Sequence, residues 1–305
     1  MKLQNIKKIL LIGAGTMGQQ ISIPCAQRGY DVVLYDIKPE MLEKAKIRIK
    51  GLMDNLVQWG KMKAEEVEPV YNRISYCSDK VEAAKDVDLL IESVPEDPEL
   101  KGQIFAEFNK LCPERTIFTT NTSTLLPSKM AHHTGRSDKF LAFHFHDITL
   151  TNIVDVMPHP GTSPETILLV KEFAEAIGQW PIVMKKESGG YLFNRMLTSL
   201  FYAAQSLAAN EVATPEDIDR AWMGVTHMLI GPFGMMDNIG IDTIWKISDF
   251  WAKKQKDPQG IKNTEFLKSY VDRGATGRKA GKGFYTYPNP DFAKPDFLPV
   301  APLST

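Results

Sequence analysis

The sequence is poor in the features that mark several common protein classes. Its 305 residues include only three cysteines, Cys25, Cys77 and Cys112. An odd number at wide spacing predicts neither a disulfide framework nor a CxxC pair for zinc or redox work. They read as small buried hydrophobes of a reducing cytoplasm. The six histidines lack HExxH spacing, so no metal site is expected. Charge of one sign is also missing: 36 Lys+Arg stand against 37 Asp+Glu, a net charge of −1. That excludes the broad basic excess of a general nucleic-acid binder. No apolar run approaches the roughly 18–20 residues that span a bilayer, so no membrane partner is expected. Met1 to Ile12 carries lysines before an apolar stretch, but glycines interrupt it at once and no cleavage site follows, so it reads as a strand. No internal repeat or low-complexity tract is present.

What is present is an ordinary globular composition, 43% hydrophobic and 24% charged, with length for about two domains. In the first half, short apolar runs alternate with longer helical patterns, the mark of βαβ units and a mostly parallel sheet. Lys8–Ile12, Asp31–Tyr35, Val87–Ile91, Thr116–Thr120, Phe140–Phe145 and Ile153–Met157 are predicted strands, apolar enough for cover on both faces. Residues 39–70 are charged and helical in period, too long for a simple crossover, and predict an inserted antiparallel helical pair turning near Trp59-Gly60. After Ser188-Gly189-Gly190 strand signals almost vanish. Helices are predicted at Tyr191–Asn210, from Thr214-Pro215 onward, at Asp242–Lys254 and at Thr264–Asp272. The expected organisation is an α/β domain over 1–187 and a smaller all-helical domain over 188–305.

Directly after the first strand stands Gly13-Ala14-Gly15-Thr16-Met17-Gly18, a GxGxxG loop opening a helix. Gly13 allows the tight turn, Gly15 a close approach of backbone to a pyrophosphate, and Gly18 close helix–strand packing. The helix N-terminus offers unpaired N–H groups to the phosphates, with Thr16 and Met17 in its first turn. The second strand ends at Asp36, 18 residues beyond Gly18. A carboxylate there accepts hydrogen bonds from ribose hydroxyls and repels a 2′-phosphate, which selects NAD over NADP.

Several further motifs carry a family likeness in order along the chain. They are IESVPEDPELKGQIF at Ile91–Phe105, TNTSTL at Thr120–Leu125, FHFHD at Phe143–Asp147 and IVDVMPHP at Ile153–Pro160. LFNRM at Leu192–Met196, GPFGMMDNIGIDT at Gly231–Thr243 and GRKAGKGFYTY at Gly277–Tyr287 follow. With the glycine loop and the WGKM run, these make the chain resemble the L-3-hydroxyacyl-CoA dehydrogenase family from about Lys7 to Tyr287. The resemblance implies a Rossmann-like domain, a helical domain that pairs two subunits, NAD as cofactor and a small-molecule substrate. It implies that His144 is the general acid/base, since imidazole titrates near neutrality. It also implies that the residue steadying His144 is Asp155, where the family carries glutamate. Ser123 and Asn194 match positions that hold the substrate's reacting oxygen. Glu96 and Lys101 match positions near the nicotinamide, and Asn121 of the TNTSTL motif is likewise expected to bind the cofactor.

The resemblance further implies a substrate cleft between the two domains. After His144, the family's Phe-Phe-Asn-Pro run is replaced by Phe145-His146-Asp147-Ile148. Period-two alternation puts His146 on the face of His144. Lys46, Arg48 and Lys50 are either a coenzyme A phosphate contact or a solvated helix face. Three functions therefore stay open: a dehydrogenase of short 3-hydroxyacyl-CoA thioesters, one of free 3-hydroxy acids of the L-gulonate or carnitine type, and a non-catalytic NAD-binding protein.

Overall fold

The computed structural model describes residues 1–298. They form two compact units, the first Met1–Leu192 and the second beginning at Phe193. The first is built on eight strands: β1 (Lys8–Ile12), β2 (Asp31–Tyr35), β3 (Ile74–Cys77), β4 (Leu89–Glu92), β5 (Ile117–Thr120), β6 (Phe140–Phe145), β7 (Ile153–Pro158) and β8 (Trp180–Val183). They lie in the order β3-β2-β1-β4-β5-β6-β7-β8, and every neighbouring pair is parallel except β6 with β7. Six helices accompany them: α1 (Thr16–Gln27), α2 (Pro39–Gln58), α3 (Val67–Tyr71), α4 (Lys80–Ala84), α5 (Pro98–Leu111) and α6 (Pro164–Ala176). Along β1, Ile9 and Leu11 belong to one apolar layer and Leu10 and Ile12 to another. A strand with side chains alternating between two covered faces has to be apolar throughout. The mostly parallel α/β sheet expected from the sequence is thus present. Because β2 and β4 flank β1, the strand order reverses there and opens a crevice at the C-terminal strand ends.

Two elements depart from expectation. The predicted helical pair at 39–70 is one long helix, α2, followed by the five-residue α3. Residues from Trp59 to Glu66 are spent on a turn and on a 3-10 segment in which the Glu66 carboxylate accepts from the backbone N–H of Lys63 at 3.0 Å. Strand β3 was not signalled, because at the sheet edge only Ile74 of its four residues is buried.

The second unit contains α7 (Phe193–Ala209), α8 (Pro215–Thr226), α9 (Pro232–Ile239), α10 (Ile241–Gln255) and α11 (Pro258–Asp272). Two buried carboxylates tie it together. Asp219 of α8 accepts from the N–H groups of Phe233 (2.8 Å) and Gly234 (2.9 Å) at the start of α9, and from the Tyr285 hydroxyl at 2.9 Å. Asp237 accepts from the N–H groups of Phe284 and Tyr285, both at 2.9 Å, and from the Tyr287 hydroxyl at 3.1 Å. Burial nevertheless lifts the Asp219 carboxyl from 3.8 to about 6, its donors offsetting only part of the desolvation. The folded unit therefore holds this proton more tightly than the unfolded chain. The resulting stabilisation is full below the unfolded value of 3.8 and is lost as pH rises through about 6. Asp219→Asn is expected to flatten the fall of thermal stability across this window. Equal pH slopes for variant and parent would refute the assignment. No helix among the described residues is long and apolar enough to cross a membrane.

Candidate active site

At the end of β1, two glycines are fixed by space. A Cβ on Gly13, whose φ is +103°, would lie 2.7 Å from the carbonyl oxygen of Ser93, and one on Gly18 would lie 2.0 Å from that of Gly13. Gly15 differs: a Cβ there meets nothing within 4 Å. Open space thus lies over the backbone at the N-cap of α1, with Thr16 exposed and Met17 half-buried in the first turn. Asp36, one residue beyond β2, is locked beside the loop. Its Oδ2 accepts from the N–H of Ala14 at 2.9 Å and its Oδ1 from that of Lys38 at 3.0 Å. A cradle with unpaired N–H groups and an acid beside it fits a dinucleotide.

A charged clamp lies below the next strand ends. Glu92, the last residue of β4, is fully buried, and its Oε1 accepts from Lys101 Nζ at 2.6 Å and from the N–H of Val94 at 2.7 Å. Its Oε2 accepts from Thr120 Oγ1 at 2.7 Å. Lys101, only 1% exposed, also donates to the Val94 carbonyl at 3.2 Å and lies 3.4 Å from Glu96 Oε2. Lys101 is therefore turned under the loop with its ammonium surrounded by protein oxygens, while Glu96 is exposed. Burial raises Glu92 above the usual carboxylate range despite the ammonium. For Glu96 the burial effect is outweighed by hydrogen bonds from the hydroxyls of Thr122 and Thr124 and by the Lys101 charge, which hold it below that range. Glu92 was missed by sequence reading, although an acid closing an apolar strand at the C-terminal sheet edge is a usable signal.

The third group sits on the antiparallel hairpin. His144 is the fifth residue of β6, and its direct partner across the ladder is Asp155 of β7. His144 Nδ1 lies 3.0 Å from Asp155 Oδ2, and His146 Nε2 lies 3.1 Å from the same oxygen. Facing an ionised carboxylate, both nitrogens carry hydrogens, which leaves Nε2 of neutral His144 as a free base. Burial pushes the Asp155 carboxyl up, but hydrogen bonds from the two imidazoles outweigh this and hold it low. His146 thus joins the pair from the face that alternation assigned to it. Tyr191, buried and with φ +55°, packs its ring 4.7 Å from that of His144 and donates its hydroxyl to the Thr122 carbonyl at 2.6 Å. No sequence signal pointed to Tyr191 beyond the preceding glycines. Asn121 accepts the N–H of Phe145 on Oδ1 at 2.7 Å and so braces the end of β6. The Ser123 hydroxyl has no hydrogen-bond partner among the described residues.

An open groove of about 690 Å³ runs between α1 and α2, lined by Thr16, Gln20, Arg48 and Asn55 among others. Lys46 is paired with Glu43 and Lys50 with Glu68, whereas Arg48 has no ion pair among the described residues. Asn194 belongs to the second unit, where it is the second residue of α7 and half-buried.

Residues 8–188 match the NAD binding domain of 3-hydroxyacyl-CoA dehydrogenase, and residues 190–287 match that enzyme's C-terminal domain. The mitochondrial hydroxyacyl-coenzyme A dehydrogenase of Mus musculus is 31% identical over 291 residues, covering 92% of this chain and 91% of its own. The solved (S)-3-hydroxybutyryl-CoA dehydrogenase of Ralstonia eutropha superposes with a TM-score of 0.84 at 28% identity, covering 93% of this chain and all of its own. A solved diketoreductase, described as acting on dicarbonyl compounds, reaches a TM-score of 0.86 at 38% identity, covering 92% of this chain and 99% of its own.

Proposed function

The chain belongs to the 3-hydroxyacyl-CoA dehydrogenase family, and from that premise we propose that it interconverts the L-3-hydroxyl and 3-keto forms of a short acyl-CoA thioester. The observation that carries this reading is the His144–Asp155 pair, set across one rung of a buried ladder at the C-terminal sheet edge.

NAD supplies the chemistry of accepting or donating a hydride at the substrate's C3. The Gly13–Gly18 loop would hold its diphosphate and Asp36 its adenosine ribose. Glu96 would meet the nicotinamide end, with Lys101 fixing Glu96 from below. In the oxidative direction His144 Nε2 takes the hydroxyl proton, and Asp155 stabilises the imidazolium so formed. The Ser123 hydroxyl and the Asn194 amide are assigned to the reacting oxygen, where donors stabilise developing negative charge. Arg48, which lines the α1–α2 groove together with Asp54 and has no ion pair among the described residues, suits a phosphate of coenzyme A.

Asp36→Ala is expected to lower the preference for NADH over NADPH by at least about tenfold, since one lost charge-assisted contact and one relieved repulsion each contribute about 1 kcal/mol. An unchanged ratio of kcat/KM for the two cofactors would remove Asp36 from the ribose site.

A second reading keeps the chemistry and changes the substrate to a free dicarbonyl or 3-hydroxy acid. The 38% identity to a diketoreductase favours it, as does the Asp147-Ile148 pair in place of an amide and a proline. Initial rates of NADH oxidation with acetoacetyl-CoA, free acetoacetate and 3-dehydro-L-gulonate decide between them. Fast turnover of the thioester alone supports the first reading, and turnover of a free keto acid alone overturns it.

We also assign a homodimer and a cytoplasmic location. Met196, Tyr202 and Leu207 on α7 and Ile247, Phe250 and Trp251 on α10 are exposed, apolar side chains that a second copy would cover. Sedimentation is expected to give twice the chain mass, and Met196→Glu with Phe250→Glu to give the monomer. A parent already monomeric at micromolar concentration would overturn the assignment. The three cysteines are free, two of them buried, which suits a reducing compartment. Recovery in a membrane or organelle fraction would contradict that location.

A further inference from the structure

Three donors converge in the candidate site in a way that proton transfer alone does not require. His144 Nδ1 and His146 Nε2 both point at Asp155 Oδ2, at 3.0 and 3.1 Å. One donor atom from each of the three residues lies within 4.8 Å of the others. Two of the residues are buried and the third, His146, is half-buried. All three come from one antiparallel hairpin, β6 with its outgoing residue and β7. From the sequence alone no metal site is expected, because histidines two apart on a strand and an acid on the next strand have no fixed spacing signature.

We propose that His144, His146 and Asp155 form a binding site for a divalent transition metal of the zinc class, and that its occupancy switches the general base off. Zinc held at about 2.0–2.1 Å by imidazole and carboxylate sets tetrahedral donors roughly 3.3 Å apart. The two nitrogen–oxygen separations already come within a few tenths of an ångström of that value. Two imidazoles and one carboxylate match the three-ligand sets that leave a fourth position open, and imidazole selects zinc-class ions over magnesium and calcium. The ladder holds His144 opposite Asp155, and the two imidazole nitrogens lie within 4.8 Å of each other, so binding closes that separation by turning His146, which stands one residue beyond β6.

The effect on the base follows from the tautomer. Hydrogen-bonded to Asp155, neutral His144 carries its proton on Nδ1 and a lone pair on Nε2. With a metal on Nδ1, the proton of the neutral ring moves to Nε2, and no lone pair is left to accept the substrate's hydroxyl proton. His146 undergoes the opposite shift, from Nε2–H to Nδ1–H. The ion displaces hydrogen bonds and creates no new redox step. Binding depends on the geometry alone, whereas the loss of turnover rests on His144 being the base.

Tag-free, chelator-stripped protein titrated with Zn²⁺ in a calorimeter is expected to bind one equivalent. Co²⁺ in its place should give the visible absorption of a tetrahedral site, and Mg²⁺ should give no heat. His146→Ala and the more conservative His146→Gln should each weaken Zn²⁺ binding by at least about tenfold, with unchanged far-ultraviolet circular dichroism. NAD+-dependent oxidation of 3-hydroxybutyryl-CoA by the parent, the direction in which His144 accepts the proton, should fall in step with zinc occupancy and return on adding chelator. Absence of stoichiometric binding, or binding that both His146 variants retain, overturns the site. Stoichiometric binding without loss of turnover overturns the switch, and the kcat of His144→Ala decides separately whether that residue is the base.

Discussion

Replacing His144 with alanine is expected to lower kcat for NADH-dependent reduction of acetoacetyl-CoA by about 10²–10⁴-fold, the usual worth of a positioned general acid or base. The side chain is 6% exposed and lies on the penultimate rung of the β6–β7 ladder, where a paired rung on either side fixes its backbone. Asp155 fixes the tautomer through Nδ1 at 3.0 Å, and the Tyr191 ring limits movement from another side at 4.7 Å. Removing the imidazole leaves the glycine loop, Asp36 and Glu96 untouched, so the dissociation constant of NADH, measured by fluorescence, should stay within about twofold. Asp155→Ala should cost less, because the base survives while its orientation and the support of its charged form are lost. Turnover of His144→Ala within a few-fold of the parent, with normal NADH binding, would sink the assignment.

The largest expected effect on stability lies at Lys101. Its ammonium and the Glu92 carboxylate are 1% and 0% exposed and 2.6 Å apart. A buried ion pair adds little net stability, but removing one member strands the other. Lys101→Met is therefore expected to destabilise the first unit by about 3–5 kcal/mol, a fall in melting temperature of roughly 10 °C for a unit of this size. Glu92 keeps donors from Val94 and Thr120, which places the cost at the lower end of that range. The deficit has a sign in pH. Burial already raises the Glu92 carboxyl, and loss of the ammonium raises it further. Protonated Glu92 is tolerated at low pH, so the penalty grows as pH rises through the folded-state value. The double change Glu92→Gln with Lys101→Met should recover much of the loss. A double variant no more stable than Lys101→Met alone would show that the lysine stabilises by packing, not by charge.

The sheet was legible where the chain is apolar on both faces. Ile9, Leu10 and Leu11 are all buried, and no other element accommodates such short uninterrupted runs. The edge strand β3 was hidden because two partly exposed residues and one exposed residue of its four look like a loop. Helix α9 was hidden behind Gly231-Pro232, which reads as a turn, although the proline merely opens the first helical turn. Helix α11 begins at Pro258, capped by Asp257, which accepts the N–H of Gln259 at 3.1 Å. That start signal was present six residues before the predicted one. In the site, the glycine loop is local and its three glycines can be read from spacing. Glu92, Tyr191 and the sharing of Asp155 by two histidines arise from contacts between residues 9 to 69 positions apart, which no local pattern encodes.

The pairing of His144 with Asp155 is written into the rungs of β6 and β7, while Asp147 to Asn152 connect the strands and bond to Gln20 of α1 and to Lys61. A one-residue slip in either strand would send Asp155 to the opposite face. The connecting loop is under no such rule and can lengthen, shorten or change sequence with the rungs intact. The pair and the connection beside it are therefore inherited separately in this hairpin: descendants can rewrite the loop and keep the His144–Asp155 rung they started with.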